Sequence, residues 1–138
     1  MSTILHASCV ALSGRGVLII GGSGAGKSAL ALQLMAFGCD LVSDDRTAIA
    51  ARDGVLLATA PTAIRGRIEA RGVGVLAAAA VPVARLVLCV DLTQRETDRL
   101  PQEHQYETLG VDLPCLHRVE SAYFPAAILQ YLKAGRAA

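Results

Sequence analysis

A strand-rich α/β fold built around a phosphate-binding loop is the class this sequence predicts, on three observations. The stretch LIIGGSGAGKSALALQ, Leu18 to Gln33, completes the pattern G-x-x-x-x-G-K-[ST] with Gly21, Gly26, Lys27 and Ser28. A short apolar run precedes it and a helical stripe follows, the context such a loop needs. Several short strand candidates then crowd between that helix and residue 92, where an ordinary P-loop enzyme would alternate strand with helix.

The elements follow in order. Ile4 to Leu12 mixes apolar and small side chains and reads as a strand, and Ser13-Gly14-Arg15-Gly16 turns it into a second, Val17 to Ile20. So short a turn predicts antiparallel pairing, with the second strand feeding the glycine loop. From Lys27 to Phe37 an apolar stripe of Leu30, Leu34 and Phe37 predicts a helix, and Gly38 stops it. Three short strands are expected around Leu41, around Ala48 and from Val55 to Ala58, the last two joined by a hairpin at Arg52-Asp53-Gly54. Pro61 to Arg67 reads as loop, and IEARGVGVLAAAA as a helix turn or a mobile loop. Arg85 to Leu92 has the apolar content of a central strand. The polar stretch TQRETDRLPQEHQYETLG belongs on the surface, DLPCLHRVE is a further strand, and Phe124 to Lys133 is a closing amphipathic helix.

The 138 residues suit a single domain, residues 1–138, and 53% apolar against 18% charged content excludes long disorder. A net charge of +1 gives no basic footprint for nucleic acid. The uncharged run Gly72 to Ala84 is broken by Pro82 and too short for a membrane span. MSTILHASCV lacks a charged leader region, so a cytoplasmic chain is expected. Cys9, Cys39, Cys89 and Cys115 are far apart and read as small buried hydrophobes. His6, His104 and His117 show no metal spacing, and zinc is not expected.

The loop carries the chemistry. Backbone N–H groups from Gly22 through Ser23, Gly24, Ala25, Gly26 and Lys27 to Ser28 would cradle phosphate, aided by the positive end of the helix. Lys27 is the cation for the outer phosphates and the Ser28 hydroxyl a Mg²⁺ ligand. Asp44 and Asp45 end one strand and Asp91 ends another. Either position suits an acid that accepts a proton or holds the metal, and spacing does not choose between them.

LHASCVALSGRGVLIIGGSGAGKSALALQLMAFGCDLVSDDRTAI resembles the start of the catalytic domain of HPr kinase/phosphorylase, a bacterial enzyme that phosphorylates and dephosphorylates a serine of the carrier HPr. His6, the Gly21–Ser28 loop and Asp44-Asp45 fall in register with that family. IEARGVGV is similar to its L-E-I-R-G-x-G-I signature, which picks out Glu69, Arg71, Gly72 and Gly74. TDRLP is a weaker match that picks out Arg99, and DLPCLHR a loose one.

The resemblance implies an α/β fold of the HPr kinase / PEP carboxykinase-like type and an ATP-dependent serine kinase of the phosphotransferase system. Lys27 and the loop would hold ATP or inorganic phosphate, and Ser28 with Glu69 would ligate Mg²⁺. Asp45, with Asp44 beside it, is implied as base for the kinase and acid for the reverse reaction, with His6, Arg71 and Arg99 as catalytic helpers. An HPr-like partner and a hexameric homo-oligomer are implied too. Ala29 where many members have glutamate, AAAAVP after the signature and a short C-terminal region resemble the abbreviated proteobacterial form without the N-terminal domain. Two rival readings stand: a small-molecule kinase or NTPase using Asp91, and a non-catalytic ATP-sensing regulator.

Overall fold

The computed structural model describes all 138 residues. Its elements run β1 (Ser2–Leu5), β2 (Ala7–Leu12), β3 (Arg15–Ile20), α1 (Lys27–Ala36), β4 (Asp40–Ser43), β5 (Thr47–Arg52), β6 (Val55–Thr59), β7 (Arg67–Ala70), β8 (Gly74–Ala77), β9 (Ala84–Arg95), β10 (His104–Thr108), β11 (Val111–Arg118) and α2 (Phe124–Ala134). Nine strands form one sheet, with β4-β2-β3-β9 in succession. One edge of β9 pairs in parallel with β3. Its other edge is shared, Ala84 and Arg85 bonding antiparallel to β6 and the residues from Cys89 onward bonding in parallel to β11. Beyond β6 lie β5 and β1, and beyond β11 lies β10, while β7 and β8 make a separate two-stranded ribbon.

Local turn chemistry sets the hairpins. The β2–β3, β5–β6 and β10–β11 hairpins close through two-residue loops, Ser13-Gly14, Asp53-Gly54 and Leu109-Gly110, all with positive φ. That twist matches the flanking strands.

Both faces of the central strands are buried, as alternation along β3 shows. Val17 and Ile19 join Leu30, Leu34, Ile68, Leu88, Ile128 and Leu132 in a core beneath α1 and α2. Leu18 joins Cys9, Val42, Ile49, Leu56, Cys89 and Leu113 in a second core to which no helix contributes, so the wings of the sheet close it. Each large side chain so buried contributes about 1.5–3 kcal/mol. All four cysteines are buried and unbridged. A hydrogen bond to Cys115 together with burial pushes the Cys89 thiol up.

Three expectations are corrected and one is extended. The first strand is two, because the chain breaks at His6: β1 leaves to pair with β5 while β2 pairs with β3 and β4. The segment after Ile68 is neither helix turn nor loop but the β7–β8 hairpin, whose outward faces are exposed and so show no burial pattern in sequence. The polar stretch from Thr93 lies on the surface as expected, none of its residues buried, but it also contains the end of β9 and all of β10, where half-buried His104, Tyr106 and Thr108 alternate with exposed Gln105 and Glu107. Phe37 caps α1 and is 53% exposed, since the helix ends at Ala36 before a further turn carries it inward.

Candidate active site

Strand register brings the site together at the carboxyl end of β3. Ala7 of β2 lies opposite Ile20, the residue before the glycine loop, so His6 and Ser8 flank that loop's start. Cys9 lies opposite Ser43 at the end of β4, which sets Ser8 beside the two aspartates that follow. The β7–β8 ribbon closes over them, anchored by Ile68 in the core. Ligand crevices in open α/β sheets form outside such strand ends.

Within the loop, Lys27 is only 5% exposed. Its ammonium donates to the carbonyls of Gly21 at 2.8 Å and Gly22 at 3.1 Å. Gly26 sits in the left-handed region at the N-cap of α1, which has no side-chain cap. The first helical N–H groups therefore face outward, with the positive end of the helix behind them.

Asp44 and Asp45 take different roles because β4 has ended by Ser43. Asp44 is buried and collects three donors: Ser8 Oγ at 2.9 Å and Ser28 Oγ at 2.6 Å on one oxygen, and the backbone N–H of Glu69 at 3.0 Å on the other. It thus joins β2, α1 and β7 at one carboxylate. Asp45 turns outward with φ of 67°. Its N–H donates to Ser8 Oγ at 3.1 Å and its carboxylate lies 2.6 Å from His6 Nε2. Both members of that pair are half exposed or more, so it stabilises the fold by at most about 1 kcal/mol. A left-handed non-glycine residue in a pair worth so little is the kind of strain that collects at functional sites.

A cavity of about 550 Å³ lies between these parts, lined by the loop from Ser23 to Ser28 on one side and by Asp45, Glu69 and Arg71 on the other. Asp44 lies under it, and His6 reaches it through Asp45. Arg99 is not brought here. It is exposed in the link between β9 and β10 and makes no side-chain hydrogen bond. Asp91 is turned away as well. It neighbours Ile20 in register, yet its carboxylate accepts from the N–H of Thr93 at 2.9 Å and from its hydroxyl at 2.5 Å. By strand alternation it shares the face of Cys89, opposite the face that carries α1.

A family model described as the HPr Serine kinase C-terminal domain matches residues 1–120. The chain belongs to that family. An HPr kinase/phosphorylase from Geobacillus thermodenitrificans is 37% identical over 128 residues, covering 83% of this chain and 41% of the relative. One from Limosilactobacillus reuteri is 47% identical over 73 residues, 52% of this chain and 23% of the relative. The chain thus spans about two-fifths or less of the curated relatives it matches. The Hpr(Ser) kinase/phosphatase from Coxiella burnetii superposes with a TM-score of 0.79 at 23% identity, over 95% of this chain and 94% of that one. The strand-rich HPr-kinase fold is therefore that of this chain.

Around this cavity, the sequence reading missed Ser8, whose hydroxyl donates to Asp44 and accepts from the Asp45 amide. Nothing local marks it, since its partners lie 36 and 37 positions away. It also missed Arg118, whose guanidinium donates to the carbonyl of Ala25 in the loop.

Proposed function

We propose that this chain is an ATP-dependent protein-serine kinase, retaining the reverse phosphorylase reaction, that acts on an HPr-like phosphocarrier in the cytoplasm as a single catalytic unit over residues 1–138. The observation that carries the reading is the outward-turned Asp45–His6 pair facing the Gly21–Ser28 loop across one cavity.

In this reading the loop amides and Lys27 hold the ATP phosphates, the lysine exchanging its two carbonyl partners for phosphate oxygens. Asp45 accepts the proton of the substrate serine as its oxygen attacks the γ-phosphorus and the bond to ADP breaks. His6 holds the Asp45 carboxylate in place. In reverse, inorganic phosphate attacks phosphoserine, pyrophosphate forms, and protonated Asp45 returns its proton to the departing serine oxygen. Arg71 at the cavity wall offers charge to the transferring group.

The donor set also fits Mg²⁺. Ser28 Oγ, whose proton is already given to Asp44, and the Glu69 carboxylate are hard oxygen ligands beside the phosphate loop. A bound Mg²⁺ would neutralise phosphate charge there. The implied role of Arg99 has no support in its position. The small-molecule reading loses its acid because Asp91 lies on the opposite face, and the full set of polar groups in the cavity argues against a non-catalytic regulator.

Incubation with labelled ATP, Mg²⁺ and a purified HPr-like carrier tests the proposal. Label on a carrier serine, lost with Asp45→Asn and retained with Asp91→Asn, is expected. A dead Asp91→Asn beside a healthy Asp45→Asn would overturn the mechanism.

A further inference from the structure

A second constellation lies just past the carboxyl end of β9, in side chains the proposed reaction does not use. Register shifts between His117 and Arg118, so that Asp91 faces the former and Arg95 the latter, and three residues of β9 bulge out between them. The backbone N–H of Glu96 then donates to the carbonyl of Arg118 at 2.8 Å. That bulge draws Glu96 alongside His117; bulges commonly re-aim side chains in this way. From the other side β10 begins at His104 opposite Cys115, two positions before His117 and on the same face. The two imidazoles stack with centroids 3.7 Å apart and planes within 6°.

Glu96 is only 12% exposed at its side chain. One carboxylate oxygen meets His104 Nε2 at 2.9 Å, and the other accepts the N–H groups of Thr97 at 3.1 Å and Asp98 at 3.2 Å. Imidazole nitrogens and a carboxylate oxygen are all ligand atoms for a divalent ion. One ligand atom from each of Glu96, His104 and His117 lies within 4.8 Å of the others.

We propose that Glu96, His104 and His117 form a binding site for one first-row divalent transition ion of the Zn²⁺ class. Two nitrogens and one carboxylate oxygen favour such an ion over Mg²⁺ or Ca²⁺, which take all-oxygen sets. The ion takes the place of the proton between Glu96 and His104, and a modest turn of the stacked rings brings both nitrogens to bear. It would clip the end of β9 to β10 and β11. The proposal runs against the expectation that the histidines offer no metal site, because strand register and not local sequence brings them together.

The test uses tag-free protein stripped with chelator and held in millimolar Mg²⁺, titrated with Zn²⁺ by calorimetry and with Co²⁺ by visible absorption. One ion per chain is expected, without a thiolate charge-transfer band, together with a rise in Tm. His117→Ala and His104→Ala should each weaken Zn²⁺ binding by at least ~100-fold, beyond what loss of an orienting partner costs. Glu96→Gln, which keeps the shape of the side chain, serves if a histidine variant fails to fold. Cys115→Ser should bind as the parent does. Absence of stoichiometric Zn²⁺ binding overturns the proposal. So does binding unchanged in folded His104→Ala, His117→Ala or Glu96→Gln, or binding that is lost with Cys115→Ser.

Discussion

The two walls of the candidate active-site cavity are built differently. The phosphate loop grows from β3, which is paired on both edges and buried on both faces, and Lys27 ties it down with two hydrogen bonds of its own. The β7–β8 ribbon belongs to no larger sheet, and Val73 and Val75 are 75% and 66% exposed. It is held by Ile68 in the core with Leu76 packed against it, by the Glu69 amide on Asp44, and just past β8 by two bonds to Leu41 of β4, whose N–H donates to the Ala79 carbonyl at 3.2 Å and whose carbonyl accepts from the Val81 N–H at 2.9 Å. A fixed wall suits phosphate, whose position sets the chemistry. A wall held by so few ties suits the protein substrate of the proposed reaction, which has to enter and leave.

The largest effect that breaks this comparison should come from Lys27→Ala on the fixed wall. Loss of a charge that clamps the transferring phosphoryl costs on the order of 3 kcal/mol or more, so turnover on an HPr-like carrier should fall ~100-fold or further. Next is Asp45→Asn, which should lower turnover by roughly 10²-fold while ATP binding persists and urea unfolding shifts by no more than about 1 kcal/mol. Normal turnover in that variant would remove Asp45 from the base role.

Asp44→Asn attacks the join between the walls. The amide puts an NH2 where one carboxylate oxygen accepted, facing either the two serine hydroxyls or the Glu69 N–H, and it cannot accept from all three, so unfolding free energy should drop by about 2 kcal/mol. Amide exchange should accelerate first in β7–β8, and uniform acceleration across the sheet would contradict the weaker tether assigned to the ribbon.

The smallest effect compares one glycine from each wall. At Gly72, φ of +85° with open space around it limits the cost of Gly72→Ala to backbone strain, about 1 kcal/mol. At Gly21 a Cβ would meet that of Ala25 at 2.9 Å, so Gly21→Ala should cost more, about 1–3 kcal/mol. Equal losses in thermal unfolding would mean that the loop yields as easily as the ribbon.

What was readable in sequence follows the same division. The glycine loop, the Ser13-Gly14 and Asp53-Gly54 turns and the apolar run of β9 are written in neighbouring residues, and all stand where expected. The ribbon was not legible, because a strand pair exposed on its outward faces carries small and apolar residues without the alternation that burial imposes. The break at His6 is invisible for a related reason: β1 and β2 share a composition and differ only in the partners they find much later in the chain. Of the site, the loop, Asp45, Glu69 and Arg71 meet as their motifs suggested, and Arg99 does not. Ser8 and the His104–His117 stack depend on pairings between distant strands, which no local pattern records.

The shared edge of β9 bears on how the chain is made. β3 has no parallel neighbour until β9 emerges, ending at Arg95, roughly 75 residues after Ile20 and several seconds of synthesis at ~5–20 residues per second. β11 must follow before the second edge is filled. Such long-range parallel pairing is slow to form. In that interval the nascent hairpin of β2 and β3 offers an unpaired edge to any strand that comes near, including the same hairpin on a neighbouring ribosome.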